Sequence, residues 1–219
     1  MTVLTQLIEE AKAQSLLEVI AVISAIGYLA FAIRQKIVCW LFAAISTAIY
    51  IWLFVEAKLY MESVLNVFYL LMAGYGWYTW HAGRTNGHKM PVVIWPLKTH
   101  LLAIATIATL SFANGLWLTA YSDAAFPYID SLTTWFAIWA TFLVTRKVLE
   151  NWWYWLLIDS ASILIYWSRD LHLTSGLFTI YVLLIPLGLI SWTRSLQAQQ
   201  NQRAEPKIRS LSPYLPTNR

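Results

Sequence analysis

Charged residues are scarce in this sequence. Only 12% of the 219 residues are charged and 59% are hydrophobic, with a mean hydropathy of +0.56. About a quarter of the residues of a typical soluble domain are charged. The composition therefore excludes an ordinary soluble domain and predicts a protein that crosses a membrane several times.

Cysteine is almost absent, and histidine is rare. The single cysteine, Cys39, excludes a disulfide framework and a cysteine-rich metal site, and it is expected to be a small buried hydrophobic residue. Four histidines lie near the ends of apolar runs without the spacing of metal ligands: His81, His88, His100 and His172. No metal and no cofactor are expected.

Common enzyme motifs are missing as well. The chain contains no P-loop, G-x-S-x-G, H-E-x-x-H or G-x-G-x-x-G pattern, so neither enzymatic activity nor ATP-driven transport by this chain alone is predicted. A membrane hydrolase using Asp159 is the minor alternative. No Lys or Arg lies inside an apolar run, whereas carriers of phosphates or carboxylates normally offer buried basic groups. A transported solute is expected to be neutral or cationic.

Seven apolar runs are long enough to span a bilayer as helices. A hydrocarbon core of about 30 Å needs roughly 17 to 25 helical residues, and the runs cover 16–33, 37–55, 63–80, 99–120, 126–145, 151–167 and 173–193. They are continuous and do not alternate in polarity, which disfavours a strand barrel. The predicted fold class is an all-α membrane protein.

The basic residues predict the orientation of the chain. If the N-terminus is outside, twelve of the fifteen Lys and Arg residues lie on the inner side, as the positive-inside rule requires. We therefore expect the C-terminus in the cytoplasm. The lipid bilayer is the expected partner, and a nucleic-acid partner is not.

An internal repeat organises the chain. Sliding the sequence along itself by 112 residues pairs 34–80 with 146–192, and ten of the 47 positions are identical. The pairs include Arg34 with Arg146, Trp40 with Trp152, Tyr69 with Tyr181, Gly76 with Gly188 and Trp80 with Trp192. Each span lies four places after its mate in the order of spans, and because this number is even, both copies have the same orientation.

The repeat divides the chain into five parts. These are an interfacial segment (1–14), a first three-helix repeat (15–81), a loop with a connecting helix (82–125), a second three-helix repeat (126–194) and a polar cytosolic tail that is expected to be disordered (195–219). Parallel repeats are a known transporter plan with a binding site at midplane between them. Duplication without transport is the alternative.

Asp159 lies in the middle of the sixth span. A carboxylate there costs roughly 2.5 to 3.5 kcal/mol on insertion scales and indicates a substrate or ion pathway. The alternative is a protonated carboxyl that hydrogen-bonds to a neighbouring helix. Helical spacing predicts two polar faces, one with Asp159, Ser162 and Tyr166 on the sixth span and one with Asn66, Tyr69 and Trp77 on the third. Tyr181 on the seventh span is a further candidate as the repeat mate of Tyr69.

Other residues have simpler interpretations. Asp130 is expected to be a helix-capping or dipole residue, and Gly76, Pro186 and Gly188 are candidate bending points. Four tryptophans near span ends are assigned to the interfacial aromatic belt: Trp40, Trp80, Trp152 and Trp192.

Three blocks of sequence resemble the nicotinamide riboside transporter family, PnuC. They are MESVLNVFYLLMAGYGWYTW (61–80), PYIDSLTTWFAIWATFLVTRKVLENWWYWLLID (127–159) and LHLTSGLFTIYVLLIPLGLISW (171–192). The resemblance implies a SWEET-like fold of seven helices in a three-plus-one-plus-three arrangement. It also implies facilitated import of nicotinamide riboside across a bacterial inner membrane, trapping by a cytosolic ribosylnicotinamide kinase, and assembly as a homo-trimer.

The resemblance also implies a set of substrate contacts. They are Asn66, Tyr69, Trp77, Asp159, Ser162 and Tyr181, with Tyr50, Thr134 and Tyr166 as weaker candidates. Similar proteins carry thiamine, riboflavin or deoxynucleosides, so the substrate stays open among these. Two further alternatives are a proton-coupled symporter with Asp159 as the proton carrier and a binding or scaffold protein that transports nothing.

Overall fold

The computed structural model describes residues 15–56, 60–84, 89–122, 126–168 and 172–211. These residues form seven α-helices: α1 (Leu16–Ile33), α2 (Cys39–Glu56), α3 (Tyr60–Ala82), α4 (Leu97–Tyr121), α5 (Pro127–Thr145), α6 (Asn151–Ser168) and α7 (His172–Leu211). The predicted number and order of helices are confirmed. The interfacial segment predicted for residues 1–14 lies outside the described residues.

Local sequence signals explain several helix ends. Ser15 and Glu18 form a capping box at the start of α1, in which each side chain accepts a hydrogen bond from the other residue's backbone N–H. α5 has Pro127 at its first turn, where a missing N–H costs nothing. α4 begins directly after Pro96. The helices therefore begin where the chain supplies caps or prolines.

Six of the helices form a ring. Neighbours along the ring are α1, α2, α3, α5, α6 and α7, and α7 closes the ring by packing against α1. α4 stands outside and packs against α5. An offset of 112 residues carries α1, α2 and α3 onto α5, α6 and α7, so the two repeats form opposite halves of the ring. α4 connects them, as the three-plus-one-plus-three arrangement requires.

Among the residues that the structure describes, four helical segments are long and apolar enough to cross a membrane: Leu16–Ile33, Cys39–Glu56, Leu97–Tyr121 and Thr174–Gln202. The remaining helices α3, α5 and α6 have 23, 19 and 18 residues, which span about 27 to 35 Å at 1.5 Å per residue. Their lower hydropathy comes from polar side chains, several of which face the interior of the ring.

The ring has two chemically different ends. At the mouth end, α1, α3, α5 and α7 begin, and their first turns carry Glu18, Glu62 and Asp130. At the basic end lie the α1–α2 turn (34–38), the α5–α6 turn (146–150) and the connection 89–96. That connection crosses to the second repeat, where Val93 and Val148 form a parallel bridge.

The assignment of four tryptophans to the interfacial belt is wrong. Trp40, Trp80, Trp152 and Trp192 are all at least 97% buried and form one cluster at the basic end of the ring. Trp40 packs edge-on against Trp80, and Trp152 packs in the same way against Trp192, with centroid distances of 5.4 and 5.5 Å. Trp80 contacts Trp192 across the two repeats at 6.2 Å.

Two glycines make this cluster possible. A Cβ atom added at Gly76 would lie 2.4 Å from the indole of Trp40, and one added at Gly188 would lie 2.3 Å from that of Trp152. Two of the three candidate bending points, Gly76 and Gly188, therefore serve as sockets for equivalent indoles in the two repeats.

The seventh helix is longer than predicted. α7 continues to Leu211, so the expectation of a disordered tail from residue 195 is wrong for 195–211. The segment after Trp192 is rich in Gln, Arg and Ala, which are strong helix formers and extend a helix that is already nucleated. Residues 212–219 lie outside the described residues.

Candidate functional site

The ring of six helices encloses a cavity of about 1340 Å³. At the mouth end its lining includes the exposed residues Glu62 and Trp167. Towards the basic end it stops at Ala32, Val144 and Trp152, which are each at least 96% buried. The cavity is therefore open at the mouth end and closed at the basic end.

Eight of the nine predicted site residues line this cavity. All six helices of the ring contribute lining residues, so the fold brings together side chains that are up to 167 positions apart in the chain, from Glu18 to Ile185. The eight are Tyr50, Asn66, Tyr69, Thr134, Asp159, Ser162, Tyr166 and Tyr181. That these side chains contact a solute stays a prediction.

Trp77 is the predicted residue that does not line the cavity. Its side chain is 43% exposed. It shares a helical face with Asn66 but lies eleven residues further along α3, or about 16 Å towards the basic end. At that level the helices touch directly through Gly76, Thr79 and Trp80, and the cavity has already ended. A shared face does not guarantee a shared environment.

Asp159 lies midway along α6 and faces the cavity. It is 4% exposed, and no hydrogen bond or ion pair joins it to another residue in the described part of the chain. Ser162 follows on the same face and is also buried. An ionised carboxylate in such a place needs a partner, so the arrangement favours a solute that brings a cation or hydrogen-bond donors.

Stacked aromatic rings form parts of the cavity wall. Tyr50 stacks on Phe54 with centroids 5.5 Å apart, and Tyr166 stacks on Phe178 at 5.3 Å. Tyr181 packs edge-on against Phe178. Such walls suit a flat ring, and their faces attract a cation.

Negative charge dominates the lining. Glu18, Glu62 and Asp130 stand at the mouth and Asp159 in the interior, whereas no Lys or Arg is found among the lining residues that the structure describes. Asp130 lies in the first turn of α5, where a carboxylate suits the positive end of the helix dipole, and it also lines the cavity. The N-cap of α5 is Phe126, so the capping interpretation of Asp130 is wrong. A cavity of this kind attracts cations and repels anions.

Sequence reasoning missed several lining residues, including Tyr28, Trp155 and His172. Trp155 lies four residues before Asp159, on the same helical face, so the spacing alone contained that signal. His172 lies near the end of an apolar run in the sequence, and in the structure it is 7% exposed and packs edge-on against Trp167. Tyr28 has Ala140 as its repeat mate, and nothing in the sequence marked it.

No metal centre is indicated. In the described ranges there is no group of three or more His, Cys, Asp or Glu side chains that could hold a metal ion. His100 is instead bound within the protein, where its Nδ1 lies 3.0 Å from the Tyr154 hydroxyl and its Nε2 lies 4.0 Å from a Glu150 carboxylate oxygen.

The fold and the cavity define a helical membrane transporter built from two parallel three-helix repeats. Residues 15–194 match the family described as nicotinamide mononucleotide transporter. The chain belongs to this family.

Named relatives agree with this assignment. The nicotinamide riboside transporter PnuC of Escherichia coli strain K12 is 23% identical over 206 residues, covering 83% of this chain and 86% of the relative. The protein of the same name from Neisseria mucosa is 24% identical over 195 residues, covering 84% and 74%. The riboflavin/roseoflavin transporter RibM of Streptomyces davaonensis is 25% identical over 128 residues, covering 56% and 59%.

The fold is also known from a solved structure. A crystal structure of the vitamin B3 transporter PnuC matches with a TM-score of 0.68 and 23% identity, over 90% of both chains. This likeness confirms the all-helical architecture predicted from the repeat.

Proposed function

We propose that this protein carries nicotinamide riboside across the membrane by facilitated diffusion with alternating access. The observation that carries the proposal is the unpaired, buried Asp159 in a cavity with aromatic walls and no basic side chain among its described lining residues. Nicotinamide riboside has a flat cationic ring that such walls can stack and ribose hydroxyls that can donate to a carboxylate.

The charge of the cavity favours the riboside over the mononucleotide. The family description names the mononucleotide, whereas two relatives are named as riboside transporters. The two solutes differ by a phosphate, which needs Arg, Lys or helix N-termini as partners in a low-dielectric site. Glu18, Glu62, Asp130 and Asp159 would instead repel it.

We further propose that the mouth end faces the periplasm and the basic end the cytoplasm of a bacterial inner membrane. The support is the positive-inside rule, since the described basic end carries Arg34, Lys36, Arg84, Lys89, Arg146 and Lys147. Trapping by a cytosolic ribosylnicotinamide kinase and homo-trimeric assembly stay predictions from the family resemblance.

The test is a binding titration of the purified protein, followed by its tryptophan fluorescence. Nicotinamide riboside, nicotinamide mononucleotide, thiamine and riboflavin are titrated separately, and each bound solute is then tested for counterflow in proteoliposomes. We expect saturable binding and counterflow of the riboside, with the mononucleotide rejected. Counterflow of the mononucleotide but not of the riboside would overturn the substrate proposal. Binding without counterflow would favour the alternative of a scaffold protein that transports nothing.

The second candidate function is carriage of riboflavin, which the similarity to RibM favours. Riboflavin is flat but has no fixed positive charge, so its binding gains nothing from a negative cavity. Replacing Asp159 by Asn separates the two candidates, because it should weaken a cationic solute, which loses its charge partner, much more than riboflavin, whose ribityl hydroxyls can still donate to the amide oxygen.

Proton coupling through Asp159 is tested by the same proteoliposomes. A facilitator equilibrates its solute whether or not a proton gradient is present, and a symporter accumulates solute only with the gradient. We expect no accumulation above the outside concentration in either condition. Gradient-dependent accumulation would favour the symporter.

A further inference from the structure

The two repeats are joined by hydrogen bonds at one end of the ring. Six side-chain hydrogen bonds connect the first repeat with the second in the described ranges, and all six lie at the basic end. Four of them end on backbone carbonyls: Thr79 donates to the Thr145 carbonyl, Trp80 to the Val144 carbonyl, Ser191 to the Ile33 carbonyl and Trp192 to the Ala32 carbonyl. In the other two, Lys147 donates to Gln35 Oε1, and the Gln35 amide donates to Ser195 Oγ.

Four of these bonds form two equivalent pairs. The Trp80 indole N–H donates to the Val144 carbonyl at 3.2 Å, and the Trp192 indole N–H donates to the Ala32 carbonyl at 3.0 Å. The acceptors lie in the last turns of α5 and α1, where they also accept turn hydrogen bonds from the backbone N–H groups of Lys147 and Gln35. In the second pair, the hydroxyls of Thr79 and Ser191 donate to the next carbonyls, those of Thr145 and Ile33, at helix ends that lack further helical donors. Each repeat therefore satisfies the helix end of the other, and this mutual capping closes the cavity.

Gln35 and Lys147 occupy the centre of this closed end. They are repeat mates, 112 positions apart, and the Lys147 ammonium donates to Gln35 Oε1 at 3.3 Å. It also donates to the Met90 carbonyl at 3.0 Å and lies 4.4 Å from the ring centroid of Trp80. Gln35 and Lys147 are 7% and 1% exposed. Lys147 thus links both repeats and the connection between them.

The backbone at these two positions is the kind that favours glycine. Gln35 has φ 52° and Lys147 has φ 51°, and both follow a helix that ends with the paired turn hydrogen bonds of a Schellman motif. A left-handed conformation is unfavourable for a residue with a Cβ atom. Side chains kept at strained positions in both repeats indicate that the side chains are needed.

We propose that Gln35 and Lys147 form the latch of a gate at the basic end, through which the solute leaves the cavity. This inference deepens the proposed function, because it rests on a carrier that opens alternately at its two ends. The Val93–Val148 bridge holds the connection 89–96 to the second repeat. Opening then breaks the Lys147–Gln35 bond and the bonds from Trp80 and Trp192, and it separates Trp80 from Trp192.

The chain contains a reporter of this opening. Cys39 is its one cysteine, is fully buried and packs in the same cluster as Trp40 at the basic end. We would measure the rate at which a charged maleimide labels Cys39 in the full chain in nanodiscs. Gln35→Leu and Lys147→Met each remove latch hydrogen bonds, and we expect each to raise the labelling rate by about tenfold.

Matched variants separate the latch from a general change. Lys36→Met removes an exposed lysine from the same turn, and we expect no change in labelling. Gln35→Gly and Lys147→Gly remove the side chains while relieving the backbone, so these variants should fold at least as well and still label faster. Cys39→Ser gives the background rate.

A second reporter distinguishes opening of the gate from unfolding. Ala140 is fully buried on α5, away from the latch. In a Cys39→Ser, Ala140→Cys chain, the latch substitutions should leave the new cysteine unreactive. Cys39 labelling that stays within twofold of wild type in all four latch variants would overturn the proposal, as would equal labelling of both reporters.

The labelling measurement does not depend on the solute. If nicotinamide riboside fails to bind but the latch variants expose Cys39, the substrate proposal is wrong and the gate proposal is supported. If the riboside is carried and the latch variants change neither Cys39 labelling nor counterflow, the gate proposal is wrong and the substrate proposal is supported.

Discussion

The two repeats agree at the closed end of the ring and differ in the cavity. At the closed end Gly76 and Gly188 hold equivalent indoles, and Trp80 and Trp192 cap equivalent carbonyls. Nearer the mouth, the hydroxyls of Ser63 and Ser175 donate to the carbonyls of Ile51 and Ile163, again 112 positions apart. The packing contacts of one repeat are thus copied in the other.

In the cavity the copies diverge. The repeat mate of Asp159 is Thr47, that of Asn66 is Phe178, and that of Tyr28 is Ala140. Packing two similar halves imposes the same demand on both, whereas a small solute without two-fold symmetry needs different groups on each side. Symmetry therefore marks the structural contacts of this protein, and its loss marks most of the candidate binding contacts. Tyr69 and Tyr181 are the exception, because these identical mates both line the cavity.

The largest effect is expected at Asp159. Asp159→Asn removes the charge and keeps the shape, and a charge-assisted hydrogen bond is worth enough that we expect affinity for a cationic solute to fall by about 10- to 100-fold. The control is Thr47→Val, because the Thr47 hydroxyl donates within its own helix to the Ala43 carbonyl. Calorimetry measures the affinity of both variants for the solute. Unchanged affinity in Asp159→Asn would show that this residue does not contribute to the binding site.

The next effect is expected at the glycine sockets. Gly76→Ala and Gly188→Ala place a Cβ atom against an indole, and we expect each to lower the free energy of unfolding by about 1 to 3 kcal/mol. Gly74→Ala and Gly176→Ala are matched controls, since nothing lies within 4 Å of their added Cβ atoms. Denaturation midpoints in detergent compare them, and equal midpoints in all four would contradict the socket role.

A smaller and equal effect is expected for the two capping indoles. Trp80→Phe and Trp192→Phe each lose one hydrogen bond to a helix-end carbonyl, and we expect each to cost about 1 kcal/mol of stability. Trp153→Phe is the control, because Trp153 is exposed. A large difference between the two capping variants would show that the repeats do not share the closure equally.

The smallest effect concerns pH. Burial, with repulsion from nearby Lys89 and Arg84, lowers the pKa of Lys147 to about 8, while proximity to Cys39 opposes the shift. The unfolded chain then binds more protons at this group between the lowered and the ordinary pKa, so stability rises as pH increases above about 8. Thermal midpoints at pH 7.5 and 9.5 should increase more in wild type than in Lys147→Met, and equal increases would contradict the shift.

The sequence predicted most of the candidate site because the cavity faces of α3 and α6 follow simple helical spacing. Asn66 and Tyr69 lie three residues apart, as do Asp159 and Ser162, and each pair lies on one face. The prediction that Trp77 lines the site failed because helical spacing does not indicate where along the helix axis the cavity ends. Tyr28 was missed because a lone Tyr in an apolar run has no pattern.

The four clustered tryptophans show a second limit of sequence reasoning. A Trp near the end of a span suits both the membrane interface and a buried contact between helices, and linear position does not separate the two. The pairing of Trp40 with Gly76 and of Trp152 with Gly188 at one offset was visible in the sequence. Only the fold showed that each glycine faces its tryptophan.

The sequence by itself determined the number, order and repeat symmetry of the helices. Hydropathy is a local property, and a bilayer requires each spanning segment to satisfy its own backbone, so long apolar runs leave helices as the solution. The tertiary structure decided which faces meet, where the cavity ends and that Gln35 and Lys147 join at the closed end. These depend on the rotation and height of each helix against its neighbours, which packing between distant segments sets.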